Sequence, residues 1–242
     1  MIRLLVLLLP VLAAVVMWQV SAWSLARRLD KSATRLKDPL LLAGVDRLAA
    51  AMELRAIPVY VQEVPTINGL AAPDGRVFLT RGFLRRYESG EVGAEELLSV
   101  IAHELGHVAL GHSKRRMIDF AGQNLVRMLI FSVLGRMVPF LGPLLANLAT
   151  RALAARLSQQ DEYEADEFAT ALMIKAGYGA EPQIRLFEKL DALTRQGPRS
   201  TPAWLMTHPE TRLRVETIRR NVAKWTGTGS KPPSAPPSGR LQ

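Results

Sequence analysis

His103-Glu104-Leu105-Gly106-His107 constrains this chain more than any other stretch, because it fixes a helix and a task for that helix together. Residues four apart on an α-helix share a face, with Cβ atoms about 5–6 Å apart, so His103 and His107 can both reach one zinc ion at bonds of ~2.0–2.1 Å. Glu104, one position round, falls beside the ion rather than on it, where its carboxylate can take a proton from water held there. The flanking residues Leu97, Leu98, Val100, Ile101, Leu105 and Val108 make the helix apolar nearly all round, and such a helix is buried. Two histidines and a carboxylate in a buried helix need partners, and one metal ion satisfies all three.

A zinc ion needs a third protein ligand, with the fourth position left to water if the site is catalytic. Five acids lie between Ser158 and Phe168, and helical periodicity sorts them. Stepping about 100° per residue, Ala165, Phe168, Ala169, Leu172 and Met173 form one apolar arc. Glu162 falls inside it and is the candidate third ligand. Asp166, at its edge, is placed to accept the free ring N–H of a ligating histidine. Glu164 and Glu167 fall on the opposite face as solvated charges. Asp161, three residues after Ser158, reads as the acidic member of a capping interaction at a helix start.

With Glu162-x-x-x-Asp166 following the H-E-x-x-H helix, the chain resembles the M48 family of zinc metallopeptidases over roughly residues 40 to 225. Asn68-Gly69-Leu70-Ala71 is similar to the family's N-x-[FL]-A stretch, Gly111-His112 to its common ending of the zinc helix, and Thr207-His208-Pro209 with Arg212 to its C-terminal T-H-P element and arginine. The resemblance implies a gluzincin fold: α+β, mainly helical, with a small sheet and hairpin packed on the H-E-x-x-H helix. It also implies one Zn2+ per chain on His103, His107 and Glu162, and hydrolysis of misfolded or membrane-associated proteins. A metzincin is excluded, because its spacing needs Gly and His where this chain has Leu110 and Ser113.

Two further histidines remain. His112 is about 140° round the helix from His107, so it reads as structural or capping. His208 sits between Thr207, a plausible N-cap, and Pro209, a first helical residue, ahead of a basic amphipathic helix from Glu210 to Val222. The resemblance implies that His208 approaches the zinc cleft, stabilising the oxyanion or filling the open metal position at rest. Arg212 is then a candidate for the transition-state oxygen or a carboxylate.

The 242 residues allow one sizeable domain, placed at 38–225, plus attachments. The absence of cysteine excludes disulfides, thiol catalysis and thiolate zinc sites. A net charge of +9 raises nucleic acid as a partner, but 6% aromatic content and no finger spacing point instead to anionic lipid. Residues 1–26 carry an apolar run from Leu4 to Val20 of about 17 residues, which reads as a membrane anchor or a signal segment. The expected location is therefore a membrane, the bacterial inner membrane, and the positive charges after the run argue for a cytoplasmic catalytic domain while periplasmic family members argue the other way.

Between those ends, Leu40–Leu54 reads as a helix, and Val59–Glu63, Ile67–Ala72 and Arg76–Thr80 as strands, the last two joined by a turn at Pro73-Asp74-Gly75. Asn68, Gly69, Leu70 and Ala71 are a candidate substrate edge, since a peptide or protein substrate can bind as an added strand. Residues 117–157 read as an apolar helical hairpin with a joint near Pro139–Pro143, either a lid or an interfacial insertion. The Pro/Gly/Ser-rich tail 226–242 cannot build a core. An alternative to a protease is a zinc-binding holdase, its hairpin binding unfolded protein and its metal closed off by a fourth protein ligand.

Overall fold

A computed structural model describes residues 32–72, 74–112, 114–115, 141–195, 202–208 and 211–227, together with Val16 and Val20. The expected anchor, the first part of the apolar hairpin and most of the tail lie outside the described residues. Eleven elements follow in chain order: β1 (Ala33–Arg35), α1 (Pro39–Ala51), β2 (Val59–Gln62), β3 (Gly69–Ala71), β4 (Val77–Thr80), α2 (Arg81–Glu88), α3 (Ala94–Ala109), α4 (Leu141–Lys175), α5 (Glu181–Thr194), α6 (Ala203–Thr207) and α7 (Thr211–Gly227). The fold is α+β and mainly helical, as expected. Among the described residues, no helix is long and apolar enough to cross a membrane.

The chain divides into two compact units, Met1–Arg27 with Gly111–Asp161, and Arg28–Leu110 with Glu162–Gln242. In the second unit, α1 starts where Asp38 accepts a hydrogen bond from Leu41 N–H at 2.8 Å, with Pro39 in the first turn. Leu41, Val45 and Leu48 of α1 are buried. Gly44 has no room for a Cβ because Leu98 of α3 occupies that space, so the two helices meet closely.

The sheet has the order β1-β2-β4-β3, with β2 and β4 parallel and the other pairs antiparallel. Alternation decides its faces. Val77 and Leu79 of β4 join Val59 and Val61 of β2 in the main core, while Phe78 turns to a small outer cluster with Tyr60 and Leu70. The β3–β4 hairpin closes through Gly75, whose φ of 85° suits a residue without a Cβ. This order leaves β3 as the terminal strand of the sheet.

Helix α3 is buried along most of its length, from Glu96 to Gly106. Glu95 and Glu96 stand in its first turn, where carboxylates oppose the positive end of the helix dipole, and Glu96 accepts from Gly93 N–H at 2.8 Å. Gly106 is the contact point with α4: a Cβ there would lie 3.0 Å from Ala165 O and 3.1 Å from its Cα. The glycine inside the histidine motif thus lets the second helix approach. The predicted apolar arc of α4 is its buried face, with Ala165, Phe168, Ala169, Leu172 and Met173 all in the core.

Two expectations need correction. The helix carrying Glu162 does not start at Ser158; α4 is continuous over 35 residues from Leu141, taking in the second half of the expected hairpin. Residues 144–157 are mostly Leu, Ala and Arg, strong helix formers with no Gly or Pro to stop them, so a lone serine does not open a new helix. Asp161 is therefore no capping residue. Within the first unit it is buried, with Arg115 Nη1 at 3.4 Å and His112 Nε2 at 3.9 Å. The second correction concerns Thr207, which ends the short helix α6 rather than capping α7; His208 follows as its C-cap at φ −128°, ψ 72°. The fixed point of α6 is a tertiary one, since Trp204 N–H donates to Ile67 O at 3.0 Å, and five residues are too few to hold a helix alone.

Candidate metal centre

The donors of the candidate centre all lie in the second unit. His103 and His107 project from α3 with Nε2 atoms 3.1 Å apart. Glu162 of α4 faces both, with Oε2 3.4 Å from His103 Nε2 and Oε1 3.5 Å from His107 Nε2. Ligands on a tetrahedral zinc with bonds of ~2.0–2.1 Å are about 3.3–3.4 Å from one another. The two imidazole nitrogens and the Glu162 carboxylate, which turns one oxygen toward each of them, are spaced as ligands of one such ion, and the residues present fit it. His208 is near the fourth corner, Nδ1 3.4 Å from His103 Nε2, and the same nitrogen is within hydrogen-bond distance of Glu162 Oε2 at 2.5 Å. Its other nitrogen, Nε2, is 3.7 Å from Glu104 Oε1.

Asp166 takes the position expected of it, behind His103: its Oδ1 is 2.9 Å from His103 Nδ1. Arg214, which the sequence reading missed, holds this aspartate. Its Nε and Nη2 donate to Asp166 Oδ2 and Oδ1 at 2.6 and 2.8 Å, and Nη1 donates to His208 O at 3.0 Å. Gln183 of α5 adds a donor to Asp166 Oδ1 at 3.3 Å and accepts from Thr170 Oγ1 at 2.7 Å. The guanidinium lies 4.5 Å above the Phe187 ring and 5.3 Å from that of Trp204, and only 1% of Arg214 is exposed.

Arg212, the arginine chosen from sequence, is exposed and lines a shallow groove with Glu188, Asp191 and Glu216. Two residues are about 200° of helix, so when Arg214 points inward Arg212 points out. The missed signal was an arginine in line with Ile218, one turn on, on the buried face of α7. Of the acids assigned to solvent, Glu167 is exposed and Glu164 half-buried.

The charges are mutually dependent. Burial alone would lower His103, but hydrogen bonds to Asp166 and Glu162 carry it up to about 9 without metal. Burial also disfavours both carboxylates when ionised, and this is overcome for Asp166 by the Arg214 guanidinium and for Glu162 by His103 and His208, so both are lowered. Anionic Glu162 among imidazoles is a donor set that a dication satisfies as well as protons do.

Glu104, only 3% exposed, receives a hydrogen bond from Trp204 Nε1 at 3.2 Å. Beside it runs β3. A Cβ on Gly69 would lie 2.9 Å from Val100 Cγ1 and 3.6 Å from Glu104 Oε1, so the strand touches the helix that carries the base. Asn68, just before β3, donates its N–H to Thr80 Oγ1 at 2.9 Å and accepts from Thr80 N–H at 3.1 Å, while its Oδ1 is buried without a hydrogen-bond partner. Leu70 packs outward near Phe78 and Ala71 against the main core, as alternate residues of a strand do.

A helix-borne H-E-x-x-H with a carboxylate from a second helix completing the triangle defines the metal centre of a gluzincin-type metallopeptidase. The chain belongs to Peptidase family M48, whose family model matches residues 35–222, and zinc is the metal that M48 metallopeptidases use. It is similar to the metalloprotease LoiP of Escherichia coli strain K12, 32% identical over 157 residues, which are 65% of this chain and 59% of that protein. The metalloprotease YcaL of the same strain is 31% identical over 157 residues with the same shares. The beta-barrel assembly-enhancing protease of that strain is 29% identical over 210 residues, 81% of this chain but 42% of its own length. The chain thus spans less than two thirds of the length of each of these relatives.

Proposed function

We propose that this protein is a membrane-associated zinc endopeptidase that hydrolyses peptide bonds in misfolded or membrane-associated proteins. The observation that carries the reading is the triangle of His103, His107 and Glu162 donors with the Glu104 carboxylate beside it. His103, His107 and Glu162 would hold the zinc, which when bound would supply an acidified water and a Lewis acid for the scissile carbonyl. Glu104 accepts a proton from the attacking water as the new C–O bond forms, and returns it to the amine nitrogen as the C–N bond breaks. The substrate chain adds to the terminal strand β3 through backbone hydrogen bonds at Asn68–Ala71, and the adjacency of Gly69 and Glu104 puts the bound peptide next to the base. His208 is placed to donate to the developing oxyanion. The apolar run in residues 1–26 supports attachment to a membrane, the bacterial inner membrane in this reading.

One observation favours a second reading. His208 Nδ1 is close enough to His103 Nε2, at 3.4 Å, to serve as a fourth ligand, which would close the site and silence it. The test is zinc content and casein cleavage by the purified full chain beside its Glu104→Gln and His208→Ala variants. The endopeptidase reading requires about one zinc per chain, cleavage by wild type, loss of cleavage on chelation, and retained zinc with cleavage lowered by several orders of magnitude in Glu104→Gln. His208→Ala lowers turnover if His208 serves the oxyanion and raises it if His208 silences the site. A zinc-loaded chain that cleaves nothing in any of these forms overturns the protease and leaves a holdase.

A further inference from the structure

Trp204 belongs to none of the sequence motifs, and the fold holds it from two sides. Its backbone N–H donates to Ile67 O at 3.0 Å, tying α6 to the chain that leads into β3. Its indole stacks on Phe187 with centroids 5.6 Å apart and planes 25° apart, and is edge-on to His103 at 5.5 Å. A ring held in this way has one rotamer, and its Nε1–H is a donor with no acceptor capacity. That donor meets Glu104 Oε1 at 3.2 Å, inside the 3.7 Å that separates His208 Nε2 from the same oxygen.

We propose that Trp204 is a positioning residue for Glu104. It holds Oε1, so that Oε2 is the oxygen that takes the proton from water and delivers it to the leaving amine. The inference rests on the reading of Glu104 as the base. The last torsion of a glutamate is broad when nothing fixes it, and a proton acceptor that rotates spends part of its time out of reach of the proton it must remove. A neutral donor on one oxygen removes that freedom and leaves the other oxygen its lone pairs. Because Trp204 also holds Ile67, one residue relates the base to the strand on which substrate is read.

The experiment uses the full chain loaded with zinc. Trp204→Phe keeps an aromatic ring on Phe187 and deletes the donor. Losing one hydrogen bond to a charged group is expected to lower kcat about 10–100-fold, with KM within about twofold and zinc content unchanged. Independently of turnover, the four indole N–H signals of the chain are recorded by 1H–15N NMR. The signal missing from Trp204→Phe is expected to move upfield in Glu104→Gln, because a neutral amide is the weaker acceptor. An unchanged kcat, or a loss confined to KM, overturns the positioning role, and an indole signal indifferent to Glu104→Gln overturns the contact itself. If wild type cleaves no protein, the proposed function fails, whereas the indole shift still decides whether Trp204 holds Glu104. If Trp204→Phe does not fold, the indole signal that moves in Glu104→Gln carries the decision, and none moving refutes the proposal.

Discussion

Replacing Arg214 with methionine keeps a long unbranched side chain over the Phe187 ring and deletes a charge that Asp166 cannot do without. Asp166 is 2% exposed and receives three of its contacts from this region: two from Arg214, at 2.6 and 2.8 Å, and one from Gln183 at 3.3 Å. Breaking a buried ion pair from one side costs about 3–5 kcal/mol, because the remaining charge stays buried and unpaired. For a chain of this size that corresponds to a fall in melting temperature of about 6–20 °C. Arg214→Lys keeps the charge but not the two-pronged geometry, and should fall between methionine and wild type. The informative step is the double variant Arg214→Met with Asp166→Leu, which removes both charges. Stability should then return to within about 1–2 kcal/mol of wild type, since a buried pair replaced by apolar groups is often neutral. Zinc affinity should not return with it, because His103 Nδ1 has lost the acceptor that orients its ring, a loss of about 10–100-fold. Urea unfolding of the zinc-free chain and competitive zinc titration measure the two quantities separately. A single variant Arg214→Met within about 0.5 kcal/mol of wild type would refute the argument, as would a double variant that recovers zinc affinity along with stability.

Other expectations follow from the same geometry. Glu162→Ala should empty the metal site while Glu167→Ala, on the exposed side of α4, should leave zinc stoichiometry unchanged; metal analysis of the purified variants decides between them. Gly106→Val should lose about 1–3 kcal/mol in urea unfolding and weaken zinc binding too, because a side chain at the α3–α4 contact pushes Glu162 away from the histidines; unaltered zinc affinity would show that the close approach is not what sets the triangle. If residues 1–26 are an uncleaved anchor, the protein should stay in the membrane fraction through high-salt and alkaline washing, since about 17 apolar residues hold far more strongly than screened surface charge. Release by salt alone would reduce the attachment to surface electrostatics.

What could be read from the chain itself was whatever depends on a local repeat. The four-residue spacing of His103 and His107, the choice of Glu162 over its neighbours, and Asp166 one turn further on all follow from 3.6 residues per turn, which no tertiary contact alters. The strands found at 59–62 and 77–80 were legible for the same reason, as short apolar runs between turn residues; the Asp38 cap that starts α1 was not among these readings. The long helix α4 was misread at its start because its Leu- and Ala-rich first half was parsed as part of a separate hairpin. The rest of the site is set by faces that meet across the fold. Whether Arg212 or Arg214 turns inward depends on the rotation of α7 against α5; Trp204 reaches Glu104 because Ile67 holds its backbone; β3 lies at the sheet's end because β4 pairs with both it and β2. Sequence separations of 48 residues for Arg214 with Asp166 and 100 for Trp204 with Glu104 carry no periodicity to read. Burial makes those contacts strong, and only the packed fold decides which side chains are buried together.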